Sequence, residues 1–477
     1  MDDMRRTLFR LIAVSALLGA VASAATRPQY GGTLRIEVSS AVASIAPADV
    51  ANRTDAAGQA ISSLIFETLT VLDNSDTPRP ALAMDWQHDA VARKWQFQLR
   101  PGVRFHNGDP LTAVAVAESL HAAGIESIAR MAATGDSIFF ESDAPQPGLP
   151  AILSQIQFAI VEKAGGEAVG TGPFKFAAKP DAQTIKLLAN DEYWDGRPYL
   201  DEVDINLQRP ARQQMADLEL GSADAIELDL DDARRAEQGN LNLLRSQPIT
   251  LLALIFDPAR SAAKAETTRQ AVALSIDRSS IWSVLLGKQG EPSAALLPQW
   301  ISGYAFLFST ASDPQAARAL QVKSAPLILE YDFADPVTKE VAERVAVNAR
   351  EAGITIQPVG EVLHGANGRA DMYMLKLPIT STDPALAMKQ VLDEISAFDP
   401  GLKFDTAELM QIASPEKLYA FEKATLAEST IIPLAHIPQM YGLSTRVHDW
   451  LAPATGGWPL AGVWLQGAGF NSNGGHP

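Results

Sequence analysis

The stretch Leu327 to Ile356, LILEYDFADPVTKEVAERVAVNAREAGITI, decides the fold class. Leu327 to Glu330 reads as a short strand. Pro336 to Ala352 follows as an amphipathic helix, with Val337, Val341 and Val345 spaced by four, and Gly353 ends it. Ile354 and Ile356 then open another strand. Strand, helix and strand within about 30 residues predict a parallel pair joined by a right-handed crossover. The chain is therefore α/β in this region.

On the N-terminal side the same alternation runs back to Pro258. Thr267 to Ser275 reads as a helix, Asp277 as an N-cap, and Arg278 to Leu286 as a second helix closed by Gly287. Before Pro258, Ile249 to Phe256 is an apolar run whose length fits a strand buried on both faces. Further back, Leu34, Ile36 and Val38 alternate with Arg35 and Glu37, giving a strand with one buried face. Asp55 to Leu72 reads as a helix. Trp95, Phe97 and Leu99 form a strand that ends at Pro101-Gly102, and Val103 and Phe105 continue it beyond the turn. After the turn His106 to Pro110, Thr112 can cap a helix carrying Val114, Val116 and Leu120. Ala122 to Pro150 has weaker periodicity. Thr184 to Leu188 and Val203 to Leu207 read as strands flanking the loop Asn190 to Pro198. Two α/β lobes follow, with the strand Leu251 to Phe256 near their junction.

The chain has 477 residues, a formal net charge of −17, 47% hydrophobic and 20% charged residues, and no cysteine. At ~100–200 residues per domain the length allows two to four compact units. Without cysteine there is no disulfide, thiolate metal site, iron–sulfur cluster, cysteine nucleophile or lipoprotein anchor. The acidic balance argues against nucleic acid, because phosphate binding requires a basic face.

Met1 to Ala24 has the form of an export signal. Arg5, Arg6 and Arg10 precede the apolar stretch Leu11 to Val21, and Ala22-Ser23-Ala24 supplies the small-residue cleavage pattern. Arg5-Arg6 also admits a twin-arginine variant alongside the ordinary secretory route. The apolar core is about half the ~20 residues a bilayer span needs, and no other stretch approaches that length. The expectation is a soluble mature protein in the periplasm, with no stable membrane insertion.

Seven segments, in order and in register, carry a resemblance: Tyr30 to Leu34 (YGGTL), Phe66 to Leu69 (FETL), Trp95 to Leu111 (WQFQLRPGVRFHNGDPL), Gly170 to Phe174 (GTGPF), Asn190 to Val203 (NDEYWDGRPYLDEV), Arg269 to Arg278 (RQAVALSIDR) and Ile431 to Leu443 (IIPLAHIPQMYGL). Together they resemble family 5 extracellular solute-binding proteins, the peptide, nickel and oligopeptide receptors of ABC importers. The resemblance implies a type II periplasmic-binding-protein fold, two lobes joined by hinge strands with the ligand between them. On it, residues 25–58, 170–248 and 433–477 make lobe one, 59–169 an extra subdomain of that lobe, and 249–432 lobe two. The short connection from Leu120 to Ser137 indicates that the extra subdomain is reduced. Read as residues, most of the seven segments are structural: Trp95, Phe97 and Phe105 belong to a core, His106 and Asn107 shape a turn, and Gly170 to Pro173 mark a tight chain passage.

The resemblance also implies positions for ligand contacts. In peptide-binding members a loop after a lobe-two strand carries a tryptophan, then an aspartate that anchors the ligand's α-amino group, then an acid–proline step. The matching stretch is Asp371 to Leu386, DMYMLKLPITSTDPAL. Leu377 stands at the tryptophan, Thr380 at the aspartate, and Asp383-Pro384 matches only the final step. Losing that carboxylate removes a charge-assisted hydrogen bond worth ~1.5–3 kcal/mol, which argues for a less polar or differently charged ligand than a typical peptide. Phe256-Asp257 sits where relatives contact ligand at the cleft edge, although Asp257 precedes Pro258 and could simply end its strand. Gln59 either contacts ligand or lies on a solvated helix face. Trp458, in a glycine-rich loop, either stacks on ligand or packs against the lobe.

The seven histidines are scattered, with no i, i+4 pair and no HExxH, so neither a resident metal nor a cofactor is expected. The leading functional expectation is a monomeric receptor. It would capture a small-molecule or peptide ligand by hinge closure and deliver it to an ABC permease and its ATPase. The alternatives are a secreted enzyme on the same scaffold, disfavoured because no G-x-S-x-G elbow occurs, and a sensory or chaperone-like binding protein without a transport role.

Overall fold

The computed structural model describes residues 27–467 apart from 43, 51–55, 74–76, 165–166, 178–182, 239–241, 261–264, 324, 364, 367, 407, 410–411, 413 and 453–456. The export segment read over residues 1–24 lies outside the described residues.

The crossover read from the sequence is present. Strand Leu327–Asp332 pairs in parallel with Ile356–Glu361, Leu327 opposite Ile356, and helix Pro336–Glu351 connects them. Local chemistry sets both ends of that helix. Asp335 accepts from the backbone N–H of Val337 at 2.9 Å and of Thr338 at 3.3 Å, and Pro336 occupies the first turn, where no N–H is needed. At the far end Gly353 takes a positive φ of 84° and Ile354 donates to the Ala349 carbonyl at 2.9 Å.

These strands belong to one mixed sheet, in the order 174–176, 184–189, 202–206, 33–37, 225–227, 431–443, 242–256, 372–378, 327–332 and 356–361. Two long antiparallel strands, Asn242–Phe256 and Ile431–Leu443, serve both halves. Leu443 pairs with Ala225 at one end, whereas Ile431 faces Ile255 and Phe256 faces Met372 at the other. Between the ends the ladder is irregular. Register shifts flank Pro248, which lies opposite Pro438, and neither proline has an N–H to give. The two halves are thus joined by two long strands whose ladder is irregular at the prolines, and by a core that Ile226, Leu228 and Leu230 share with Leu252 and Val341.

The apolar run in the first long strand is explained by burial on both faces. Leu252, Leu254 and Phe256 enter one core with Val341, Val345 and Met372, while Leu251, Ala253 and Ile255 enter another with Leu377, Val391 and Ile395. A third core packs Leu34, Ile36, Ile61 and Leu64 against the first-half strands. The fourth belongs to a small subdomain, a sheet in the order 83–88, 94–99, 137–141 and 130–134. Helix Ala113–Ala122 packs there, and its Thr112 Oγ1 accepts from the Ala115 N–H at 3.1 Å.

Three sequence expectations are corrected. The helix expected over Asp55 to Leu72 is described from Ala56 and stops at Ile65, and Thr70–Leu72 is a strand. The cause is remote in sequence: Gly172 N–H takes the Ile65 carbonyl at 2.9 Å, so the last turn is closed by a passing chain. Val103 and Phe105 are buried as expected but do not extend the strand. They form a tight reversal in which Leu111 N–H donates to the Val103 carbonyl at 2.9 Å and Phe105 N–H to the Asp109 carbonyl at 2.8 Å. The boundary expected between 58 and 59 cuts helix Ala56–Ile65, whose Ala57, Ala60 and Ile61 belong to the main-sheet core.

Candidate ligand-binding cleft

Two adjoining cavities, of about 560 and about 470 Å³, lie between the halves. Gln59, Gln155, Gln157, Thr380 and Gln390 line both, so they form one continuous cleft. One wall comes from the first half: helix Ala56–Ile65 and the segments around Gly124 to Ile128 and Ile152 to Phe158. The other comes from helix Pro384–Phe398 and the loop before it.

That helix is held for the task by its own sequence. Asp383 caps it, accepting from the Leu386 N–H at 2.9 Å, and Pro384 occupies the first turn. Ala387, Met388, Val391, Leu392 and Ile395 anchor it in the core. Leu386, Lys389, Gln390, Asp393, Glu394 and Ala397 recur at three- and four-residue spacing and line the cleft. Thr380 Oγ1 donates to Gln390 Oε1 at 2.9 Å, fixing the loop to the helix. Opposite, Gln157 Nε2 donates to Gln155 Oε1 at 3.1 Å. Amides and hydroxyls alternate with apolar side chains along the lining, so a guest can both hydrogen-bond and bury apolar surface there.

Four of the seven segments meet at the rim and serve the scaffold. Glu67 accepts from Thr171 Oγ1 at 2.7 Å, Tyr193 OH at 2.8 Å and Trp194 Nε1 at 3.0 and 3.1 Å. His106 N–H donates to the Gly170 carbonyl at 2.9 Å, and His106 Nε2 lies 2.9 Å from the Gly172 carbonyl oxygen. These contacts tie FETL, GTGPF, the Asn190 loop and the His106 turn into one knot.

The structure brings Gln59, Thr380 and Trp458 to the cleft and places the other expected contacts elsewhere. Gln59 is buried and lines both cavities, so it does not lie on a solvated face. Trp458 is only 3% exposed, its Nε1 donates to Tyr441 OH at 3.3 Å, and its indole meets Trp450 edge-on. It packs against the lobe while forming part of the cleft surface. Phe256 is fully buried in the core, since its side chain falls on the covered face of the long strand. Asp257 ends that strand: its Oδ1 accepts from the Ala259 N–H at 2.8 Å. Leu377 packs in the opposite core, opposite Leu251 in register. Asp383 is the helix cap.

Gln155, Gln157, Gln390 and Glu394 line the cleft without having been singled out from the sequence. Helical spacing could have grouped Gln390 with Glu394, but nothing local separates a cleft-facing polar stripe from a solvated one.

Buried ionisable groups give the fold a definite pH response. Burial pushes the carboxyls of Glu67 and Glu422 up to about 7 and that of Glu394 up to about 8, with Asp393 adding to the last. Burial pushes the imidazoles of His106 and His436 down to about 4. A carboxyl with a raised folded pKa stabilises the fold below its unfolded pKa and loses that contribution as pH climbs to the folded value. A histidine with a lowered folded pKa costs stability only as pH falls below its unfolded value. The two sets therefore oppose each other below pH 6.5, and from 6.5 to 8 only the carboxyls change. Tm is expected to fall steadily across pH 6.5–8 in thermal melts at constant ionic strength. A rising Tm would contradict these burial assignments.

One mixed sheet whose halves share two long strands, with a cleft of mixed polar and apolar lining between those halves, defines a two-lobed ligand-binding protein. Residues 77–395 match the family model described as bacterial extracellular solute-binding proteins, family 5 Middle, and the chain belongs to that family. It is similar to the oligopeptide-binding protein AppA of Bacillus subtilis, 27% identical over 306 residues, covering 58% of this chain and 55% of the relative. It is also similar to the nickel-binding periplasmic protein of Escherichia coli, 24% identical over 347 residues, covering 63% and 66%. The matches thus span less than two thirds of either relative's length. Among solved structures, the Helicobacter pylori periplasmic binding protein DppA in complex with the peptide STSA aligns with a TM-score of 0.77 at 19% identity, covering 92% of this chain and 98% of that one. AgaA in complex with agropinic acid, from A. tumefaciens R10, aligns with a TM-score of 0.76 at 19% identity, covering 91% and 99%. Both show the same fold. Among the described residues, no helix is long and apolar enough to cross a membrane, and no group of three or more acidic or histidine side chains is placed to hold a metal ion.

Proposed function

We propose that the chain is a periplasmic receptor that captures a small polar ligand between two closing lobes and delivers it to an ABC permease and its ATPase. The observation that carries this reading is the cleft itself, whose two walls belong to halves that share two long strands irregular at Pro248 and Pro438. Gln59, Gln155 and Gln157 on one wall and Thr380 and Gln390 on the other can engage one guest together only when the lobes are near each other. Ligand then stabilises the closed form by the contacts that form offers and the open form lacks. The chain makes and breaks no bond in this role. The relatives and structural neighbours named above bind oligopeptides, nickel, a short peptide and agropinic acid, so the scaffold accommodates chemically different guests.

Gentle purification followed by native mass spectrometry tests the reading. A retained small molecule is expected, released on unfolding, whose return raises Tm. Gln157→Leu and Gln390→Leu should each reduce that rise. A retained compound whose effect on Tm is untouched by both substitutions would place binding elsewhere.

A further inference from the structure

In the larger cavity one acid forms no ion pair with a described residue. Helix Pro384–Phe398 brings Lys389, Asp393 and Glu394 to the larger cavity, and among the described residues these are its only ionisable lining. Lys389 Nζ is committed to Asp393, whose other oxygen accepts from Thr406 Oγ1 at 3.1 Å. Glu394 lies at i+4 from Gln390 on the same helix, yet its buried Oε2 receives no hydrogen bond from any described residue. The facing wall contributes Ser127, Gln146, Gln155 and Gln157, which are polar but carry no charge. There the buried Nε2 of Gln155 is likewise without an acceptor among the described residues. Both side chains line the same cavity from opposite walls, and in each the unpaired atom is shut away from solvent, so it must turn toward the cavity to meet a guest. An unmet buried polar group is costly, and a ligand that draws both out and satisfies them recovers that cost.

We propose that Glu394 receives a cationic nitrogen of the ligand, an ammonium or guanidinium, while the Gln155 amide across the cleft donates to an acceptor oxygen of the same molecule. The proposal rests on the receptor reading above and specifies its ligand chemistry. The carboxylate missing at Thr380 is then supplied one element later, from the helix that Asp383 caps. Burial, and then the neighbouring Asp393, push the Glu394 carboxyl up to about 8, so it holds a proton at neutral pH. An arriving cation favours the ionised form and sends that proton to solvent, so capture is coupled to proton release.

The test is a thermal-shift screen of the full chain at pH 7 with matched compounds. Tetra-alanine amide, glucosamine and butylguanidine are paired with N-acetyl-tetra-alanine amide, N-acetylglucosamine and butylurea, which lack the cation, and neutral sugars and dicarboxylates complete the panel. Basic members are expected to raise Tm and their uncharged partners to do so little or not at all. For a basic compound that binds, calorimetry in phosphate and in Tris should report close to one proton released at pH 7 and almost none at pH 9. Glu394→Gln should bind on the order of ten- to a hundredfold more weakly and release no proton. Gln155→Leu should weaken binding while leaving proton release intact. A purely structural Glu394 would change the Tm of the unliganded variant and leave affinity and proton release alone, which overturns the proposal. So does binding of a neutral or anionic compound in preference to every basic one, although the receptor reading survives that result. Failure of every compound to shift the wild-type protein counts against both.

Discussion

Gly170→Ala is expected to cost about 3 kcal/mol or more, at or beyond the upper end of ordinary overpacking, and to leave little folded protein at 37 °C. A methyl built on Gly170 would lie 2.0 Å from the Ile65 carbonyl oxygen and 2.8 Å from its carbon. Neither atom can yield cheaply. They close the helix Ala56–Ile65, where the Gly172 N–H already takes the Ile65 oxygen, and the Gly170 carbonyl is itself held by the His106 N–H. Since Gln59 rides on this helix, relieving the clash would also displace a cleft wall. Urea unfolding measures the effect through the shift in midpoint at constant slope. A midpoint near wild type would mean that the two chain segments do not cross as described.

Phe256→Ala is expected to destabilise by about 3–5 kcal/mol while leaving ligand affinity of the folded fraction unchanged. The ring is fully buried, and its strand neighbours offer no route for the cavity to collapse, because Leu254 and Met372 are themselves packed against helix Pro336–Glu351. A cleft-edge Phe256 would give the opposite pattern, a large loss of affinity with modest loss of stability. Denaturant titration and calorimetry on one preparation separate the two outcomes.

These two residues mark where sequence reading succeeds and stops. The crossover over Leu327 to Ile356 is legible because its signals are local: a helical period, an acidic cap before a proline, a glycine after the last turn. The run Leu251 to Phe256 announces burial on both faces for the same reason. What it cannot announce is which neighbour covers each face, so Phe256 and Leu377 could be taken for cleft residues although both are core. The helix expected through Leu72 overran because its true end is imposed by Gly172, far along the chain. The family segments were legible, and as expected they build the scaffold, with Glu67, Thr171, Tyr193 and Trp194 knotted together. The cleft was largely not legible. Gln155, Gln157, Gln390 and Glu394 are ordinary polar residues until two distant segments face each other across the cleft.

Solution X-ray scattering tests the central claim most directly, recorded on the same protein before and after saturation with whichever compound raises its Tm. Closure of the halves about Pro248 and Pro438 predicts a smaller radius of gyration and a shorter maximum dimension in the saturated sample. Identical scattering curves, with the thermal shift fully developed, would contradict the account.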